Sequence, residues 1–329
     1  MDKRKKVKVI FIFLCLAVCL ATALYYMQHN RTDKQKCTEI NTEANVETEV
    51  AQEDDTKIEN VDVEIPGIER EYNFIFASDL HIVTENDEIT DENRETVIGR
   101  EAFFKTDSGM KSADVWKNLV EYMNKKSPDG VLLGGDMIDF ASTSNVKVLK
   151  EGIDQLKVPY MYVRADHDYG KWYGKLEKKY VKELHATINE VSPVYVMEYD
   201  DICVLGIDNS TSQLPAEALE KIKEVFAIGK PIILVTHVPI DSKLDSSLAE
   251  QSKVVWQDRA LLWGDGCTYE PDENTREFLD MVYATDSPVK LVLSGHLHFS
   301  WDGYITENTR EHVFNPAYSN SIGIVKIHG

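Results

Sequence analysis

The stretch Asn73-Phe74-Ile75-Phe76-Ala77-Ser78-Asp79-Leu80-His81 sets a strand-like apolar run directly against residues able to bind a metal. The same layout recurs four times. Val131-Leu132-Leu133 precedes Gly134-Gly135-Asp136, and Met161-Tyr162-Val163 precedes Asp166-His167-Asp168. Ile232-Ile233-Leu234-Val235 runs into Thr236-His237, and Leu291-Val292-Leu293 into Gly295-His296-Leu297-His298. Five of the chain's nine histidines sit in these endings.

Continuous apolar runs of this length suit strands buried on both faces. In open sheets of that type ligands gather at the carboxyl ends of strands. The layout predicts one shared site where carboxylates and imidazoles converge from distant parts of the sequence. Between the runs, apolar residues recur at helical spacing over Ala113–Lys125, Val146–Leu156, Tyr180–Asn189, Ala216–Phe226 and Thr275–Tyr283. Tyr195-Val196-Met197 and Val204-Leu205-Gly206 read as a hairpin turning at Asp200-Asp201, and further strand pieces surround Tyr304, Val313 and Ile324. The fold class is α/β, with layered sheets flanked by helices.

The chain of 329 residues has a net charge of -20, which argues against a nucleic-acid backbone as partner, since that contact needs clustered Lys and Arg. Residues 1–8 are a basic flank, and Val9 to Met27 contains no charged residue. A positive flank before such a run reads as a transmembrane helix or signal segment with the rest of the chain outside the cytoplasm. An uncleaved membrane anchor is the expectation; cleavage near Ala21-Thr22-Ala23, giving a secreted form, is the alternative. Residues 28–66 read as an acidic disordered stalk, because Thr38 to Pro66 has ten acidic residues against Lys57 and no aromatic. The folded domain is then expected over 67–329. Cys203 and Cys267 are the only cysteines in it, without a metal-ribbon or disulfide spacing. Cys203 reads as a small core residue.

The order D-x-H, G-D-x-x-D, x-H-D, H and G-H-x-H, carried by Asp79/His81, Asp136/Asp139, His167/Asp168, His237 and His296/His298, resembles the calcineurin-like metallophosphoesterases over roughly Tyr72 to Ile327. Asn315-Pro316-Ala317-Tyr318-Ser319 is similar to a segment often found after the last motif. The resemblance implies a two-sheet β sandwich flanked by helices with two divalent metal ions at one edge. It implies that Asp79, His81 and His298 hold one ion, that Asp166, His237 and His296 hold the other, and that Asp136 bridges them. A shared carboxylate offsets the repulsion of two close cations, and an oxygen and imidazole set without thiolate suits Mn, Fe or Zn. His167 is similar to the family histidine that contacts the phosphate and protonates the departing oxygen, with Asp168 expected to orient it. Asp139 is open between a role near the bridge and a solvated or strand-capping one. His185, His312 and His328 match no motif and are expected to be surface or structural.

The third motif departs from the family pattern, since Asp166 stands where an asparagine is usual. The extra negative charge should tighten cation binding while making the attacking water less acidic. Two long segments, Val83–Lys111 and Ile240–Pro271, are expected to overhang the site as loops or lids. The second carries Trp256, Trp263 and Tyr269, either for substrate contact or as a small local core. The function implied is hydrolysis of a phosphate mono- or diester, the substrate being a small molecule, nucleotide or lipid head group. A metal-stabilised binding or sensory domain without catalysis is the alternative.

Overall fold

A computed structural model describes residues 56–84, 89–170, 177–209 and 211–329. Along the chain the elements are β1 (Lys57–Glu64), β2 (Tyr72–Ala77), α1 (Asp91–Phe103), α2 (Ser112–Lys126), β3 (Gly130–Leu133), α3 (Thr143–Ile153) and β4 (Tyr160–Tyr162). There follow α4 (Asp166–Tyr169), α5 (Lys178–His185), β5 (Val194–Glu198), β6 (Cys203–Ile207), α6 (Ala216–Phe226) and β7 (Ile232–Val235). The last elements are α7 (Ser247–Val255), α8 (Glu273–Tyr283), β8 (Val289–Ser294), β9 (Trp301–Thr306), β10 (Thr309–Val313), a 3-10 turn at Ala317–Ser319, and β11 (Ser321–His328).

The strands form two sheets, ordered β1-β11-β2-β3-β4 and β5-β6-β7-β8-β10-β9. Strands β2, β3 and β4 are parallel, as are β6, β7 and β8. Alternation along each strand divides its side chains between two cores. Phe74, Phe76, Leu132 and Met161 of one sheet meet Val204, Ile233, Val235, Leu291 and Leu293 of the other. On the outer face of the first sheet Ile75, Ala77, Val131 and Leu133 pack under Trp116, Leu119 and Met123 of α2 and Val146 and Leu149 of α3. On the second, Leu205, Leu234 and Val292 pack under Leu219 and Ile222 of α6 and Phe278 and Val282 of α8. The layers are helix, sheet, sheet, helix. Because both faces of each sheet are covered, the central strands need no polar positions. Each fully buried large apolar side chain stabilises this arrangement by about 1.5–3 kcal/mol.

Helix ends follow local chemistry. Ser142 caps α3 by accepting from Asn145 N at 3.1 Å, and Asp272 caps α8 by accepting from Thr275 N at 2.9 Å. The expected hairpin is present, with Val194 opposite Ile207 and Glu198 opposite Cys203, and Cys203 is fully buried.

Two expectations are corrected. The stalk does not extend to residue 66: β1 pairs with β11 along its whole length, Lys57 with Ser321 through Glu64 with His328. Val61 and Ile65 are buried, whereas most of the strand's other residues face solvent. Composition averaged over the acidic stretch hides this two-residue alternation, and the charges it carries are those that protect an exposed sheet edge. The two long segments are not simple loops, since the first folds α1 and the second α7. The expected membrane or signal segment and most of the stalk lie outside the described residues. Among the described residues no helix is long and apolar enough to cross a membrane.

Candidate metal centre

The five motifs meet where β2, β3, β4, β7 and β8 end. Backbone hydrogen bonds stitch the ends together: Asp79 N to Gly135 O (2.9 Å), His81 N to Asp136 O (2.9 Å) and Gly295 N to His237 O (3.1 Å). The chain turns sharply here. Asp79, His81, Asp136, His296 and His298 all have left-handed backbones, with φ of 54°, 47°, 52°, 68° and 54°. That conformation is costly for residues with a Cβ and clusters at functional sites. Gly295 is required for a different reason. A Cβ there would stand 2.2 Å from both Asp79 Oδ2 and Ser78 Oγ. The glycine makes room for the Asp79 carboxylate.

Asp79, His81 and His298 offer ligand atoms within 4.8 Å of one another, and so do Asp136, Asp166, His237 and His296. Asp136 stands between the groups, its Oδ2 lying 3.0 Å from His237 Nε2 and 3.9 Å from His81 Nε2. Partners fix the ring orientations. His81 Nδ1 bonds Asp139 Oδ1 at 3.2 Å, leaving Nε2 facing His298 Nε2 at 3.2 Å. His237 Nδ1 donates to Gly134 O at 2.9 Å, leaving Nε2 toward the carboxylates. His296 is turned the other way: Tyr269 OH sits 3.0 Å from its Nε2, and Nδ1 lies 3.2 Å from His237 Nε2.

These residues fit divalent ions. Two ligands each about 2.1 Å from one ion stand about 3–3.4 Å apart, which is the spacing of the closest carboxylate–imidazole pairs among these ligands, 3.0 Å for Asp136–His237 and 3.3 Å for Asp79–His298, with other pairs at 3.8 and 3.9 Å. Asp79 Oδ1 is buried and accepts no hydrogen bond, with imidazole nitrogens at 3.3 Å (His298) and 3.8 Å (His237). A buried charged oxygen without a donor is expensive unless a cation meets it. The field points the same way. Burial lowers the pKa of His237, but Asp136 and Asp79 outweigh burial and push it up to about 10. Partial desolvation and the charge of Asp136 raise the carboxyl of Asp166. The cluster calls for positive charge.

Around the ligands, one expected role moves to another residue. Asp168 does not orient His167. Its carboxylate accepts from the backbone N–H groups of Asp136 (2.9 Å), Met137 (3.1 Å), Ile138 (3.2 Å) and Ala165 (2.8 Å), and from Tyr162 OH (2.7 Å). Five donors converge because α4 turns this buried side chain back under the β3 loop, so Asp168 shapes that loop. The imidazole of His167 is held by Asp139: Nδ1 donates to its backbone O at 3.0 Å and to Oδ1 at 3.1 Å. Burial would raise the Asp139 carboxyl, but hydrogen bonds from Arg100, His167 and His81 hold it well below the usual range. For His167 itself, burial lowers the pKa, and the charges of Asp136 and Asp139 raise it to about 9.

Arg100 and Phe104 carried no sequence signal. Arg100, on α1, bonds Asp139 through Nε at 2.8 Å and also through Nη2. Phe104 stacks on His81, with ring centres 4.1 Å apart and planes 7° from parallel. Asp139 did have a signal, the three-residue spacing from Asp136. The aromatics of the second long segment have structural partners: Trp263 is buried in the core, Trp256 sends Nε1 to Leu297 O at 3.1 Å beside His298, and Tyr269 holds His296 while also lining a cavity beside it. His185 is structural too, with Nε2 2.6 Å from Asp168 O. His312 sits between Asp302 and Glu59, and His328 at the surface pairs with Asp62. The turn at Ala317–Ser319 closes the site from β11, Tyr318 N donating to Asp79 O at 3.2 Å.

The family model for calcineurin-like phosphoesterases matches residues 72–300. Among solved structures, a dimetal phosphatase from Danio rerio is similar at 12% identity and a TM-score of 0.47, over 75% of this chain and 88% of that one. The phosphopantetheinyl hydrolase of Mycobacterium tuberculosis is similar at 12% identity and a TM-score of 0.39, over 75% and 90%. No curated protein sequence matches the chain.

Proposed function

The chain belongs to the calcineurin-like phosphoesterase family, whose members are metal-dependent phosphoester hydrolases, and from that premise we propose a specific assignment of roles. Asp79, His81 and His298 hold one divalent ion, Asp166, His237 and His296 hold a second, and Asp136 bridges. The observation that carries this reading is the orphaned, buried Asp79 Oδ1 ringed by imidazole nitrogens. When bound, the two ions supply Lewis acidity toward the phosphoryl oxygens and an acidified water.

The chain's own residues do the rest. Asp139 fixes His167 with Nδ1 as donor, so Nε2 is the nitrogen that meets the ester. The carboxylates around His167 keep its proton at neutral pH, and that proton passes from Nε2 to the departing oxygen. Arg100 neutralises Asp139 and stiffens its carboxylate. The backbone N–H of His167 donates to Asp136 Oδ1 at 3.1 Å, tying the proton donor to the bridging carboxylate. Asp166 in place of a neutral ligand strengthens the hold on the second ion.

We further propose that the charge-free run Val9–Met27 behind its basic flank tethers this enzyme on the outer side of a membrane. The test uses the full chain with added Mn and chromogenic phosphate mono- and diesters. Hydrolysis with two metal equivalents per chain is expected, and Asp136→Asn should lose both metal and turnover. Metal binding without hydrolysis of any ester would favour a non-catalytic binding domain.

A further inference from the structure

Beside the metal centre the surface opens into two cavities that share Asp166. The smaller, about 110 Å³, is lined by Asp166, Asn209, His237 and Tyr269 and has room for a phosphoryl group. The larger, about 490 Å³, is lined by Asp166, Tyr169, Lys178, Val181, Lys182 and Pro193, among others. A volume of that order takes a drug-sized organic group. Its walls are of two kinds. Val181 and Pro193 with the Tyr169 ring present apolar surface, while Lys178 and Lys182, one turn apart on α5, put two ammonium groups on one face.

Those lysines are not spoken for. Lys179, between them on the helix, pairs with Glu183 at 3.7 Å, but among the described residues neither Lys178 nor Lys182 makes an ion pair. Three carboxylates line the same cavity, but none makes an ion pair with either lysine among the described residues: Asp166 belongs to the centre, Asp208 accepts from Tyr169 OH at 3.0 Å, and Glu217 is exposed at the start of α6. Two ammonium groups that make no ion pair among the described residues therefore line the cavity that adjoins the centre.

We infer that the larger cavity seats the alcohol part of the ester, and that Lys178 and Lys182 select an alcohol carrying a second anionic group. This rests on the phosphoesterase reading of the same centre. The scissile phosphoryl group sits at the centre beside Asp166, the residue shared by the two cavities and the neighbour of His167, the apolar wall covers the body of the alcohol, and the distal anion reaches α5.

The experiment compares two biphenyl phosphates that differ only in a distal carboxylate or its methyl ester, using the metal-loaded full chain. Two exposed ion pairs are together worth about fivefold, so kcat/KM should favour the carboxylate about fivefold, through KM. The Lys178→Ala/Lys182→Ala double variant should lose that preference and keep its rate on the methyl ester. A wild-type chain that does not distinguish the two esters, or a preference that survives in the double variant, overturns the inference. Absence of hydrolysis of both, with para-nitrophenyl phosphate also untouched, would instead overturn the phosphoesterase reading, and this inference with it.

Discussion

Asp139 does more than its three-residue spacing from Asp136 indicates. It is buried, it touches both His81 and His167, and Arg100 compensates its charge. An outer carboxylate of this kind sets ring orientation and basicity, and its loss commonly costs about 10–100-fold. Asp139→Asn should therefore keep the metals and lower kcat by about that factor, while His167→Ala should keep the metals and lose most of the rate. Metal analysis and kcat on the same preparations decide both; normal turnover in the His167 variant would remove it from the proposed mechanism. The seven expected ligands were legible because each directly follows a strand run. Arg100 and Phe104 were not, since an arginine and a phenylalanine near the end of a helix have no local pattern that ties them to histidines in other motifs.

Among the elements, β10 holds a group that the chemistry does not use. Glu311 is fully buried, with Oε1 accepting from Ile240 N at 3.1 Å and Ser294 Oγ at 2.9 Å, while Oε2 has no partner. Burial pushes its carboxyl up to about 8. The folded chain thus holds this proton more tightly than the unfolded chain does. Its contribution to stability is fully present below the ordinary value of 4.5 and is lost as pH rises through about 8. Glu311→Gln copies the protonated form, so at about pH 8 it should raise Tm by about 3–6 °C and at about pH 5 leave it nearly unchanged. Thermal melts at both pH values check this, and an equal shift at both would refute it. At the same scale β1 shows what composition conceals: eight residues of an acidic stretch form an edge strand because β11 offers an unpaired edge.

For the whole molecule, the apolar cores between and outside the sheets do not depend on the metals, whereas the edge where the strands end gathers the carboxylates of Asp79, Asp136 and Asp166 and the imidazoles of His81, His237, His296 and His298 in one small volume. Removal of the ions should keep the secondary structure and lower Tm. A ligand at a hundredfold its Kd contributes about 2.7 kcal/mol, which for a domain of this size is about 5–10 °C. Far-UV circular dichroism and a melt before and after chelation test this; an unchanged Tm would count against ions at this edge. The sequence by itself determined the α/β class, the central strands and the seven candidate ligands that converge, because a strand buried on both faces leaves an uninterrupted apolar signature and its end marks where polar groups must emerge. Only the tertiary structure decided that Asp139, and not Asp168, orients His167, that Arg100 and Phe104 reach the centre, and that the domain begins with β1. Those outcomes depend on which distant segments become neighbours in space, and the order of residues along the chain carries no direct record of that.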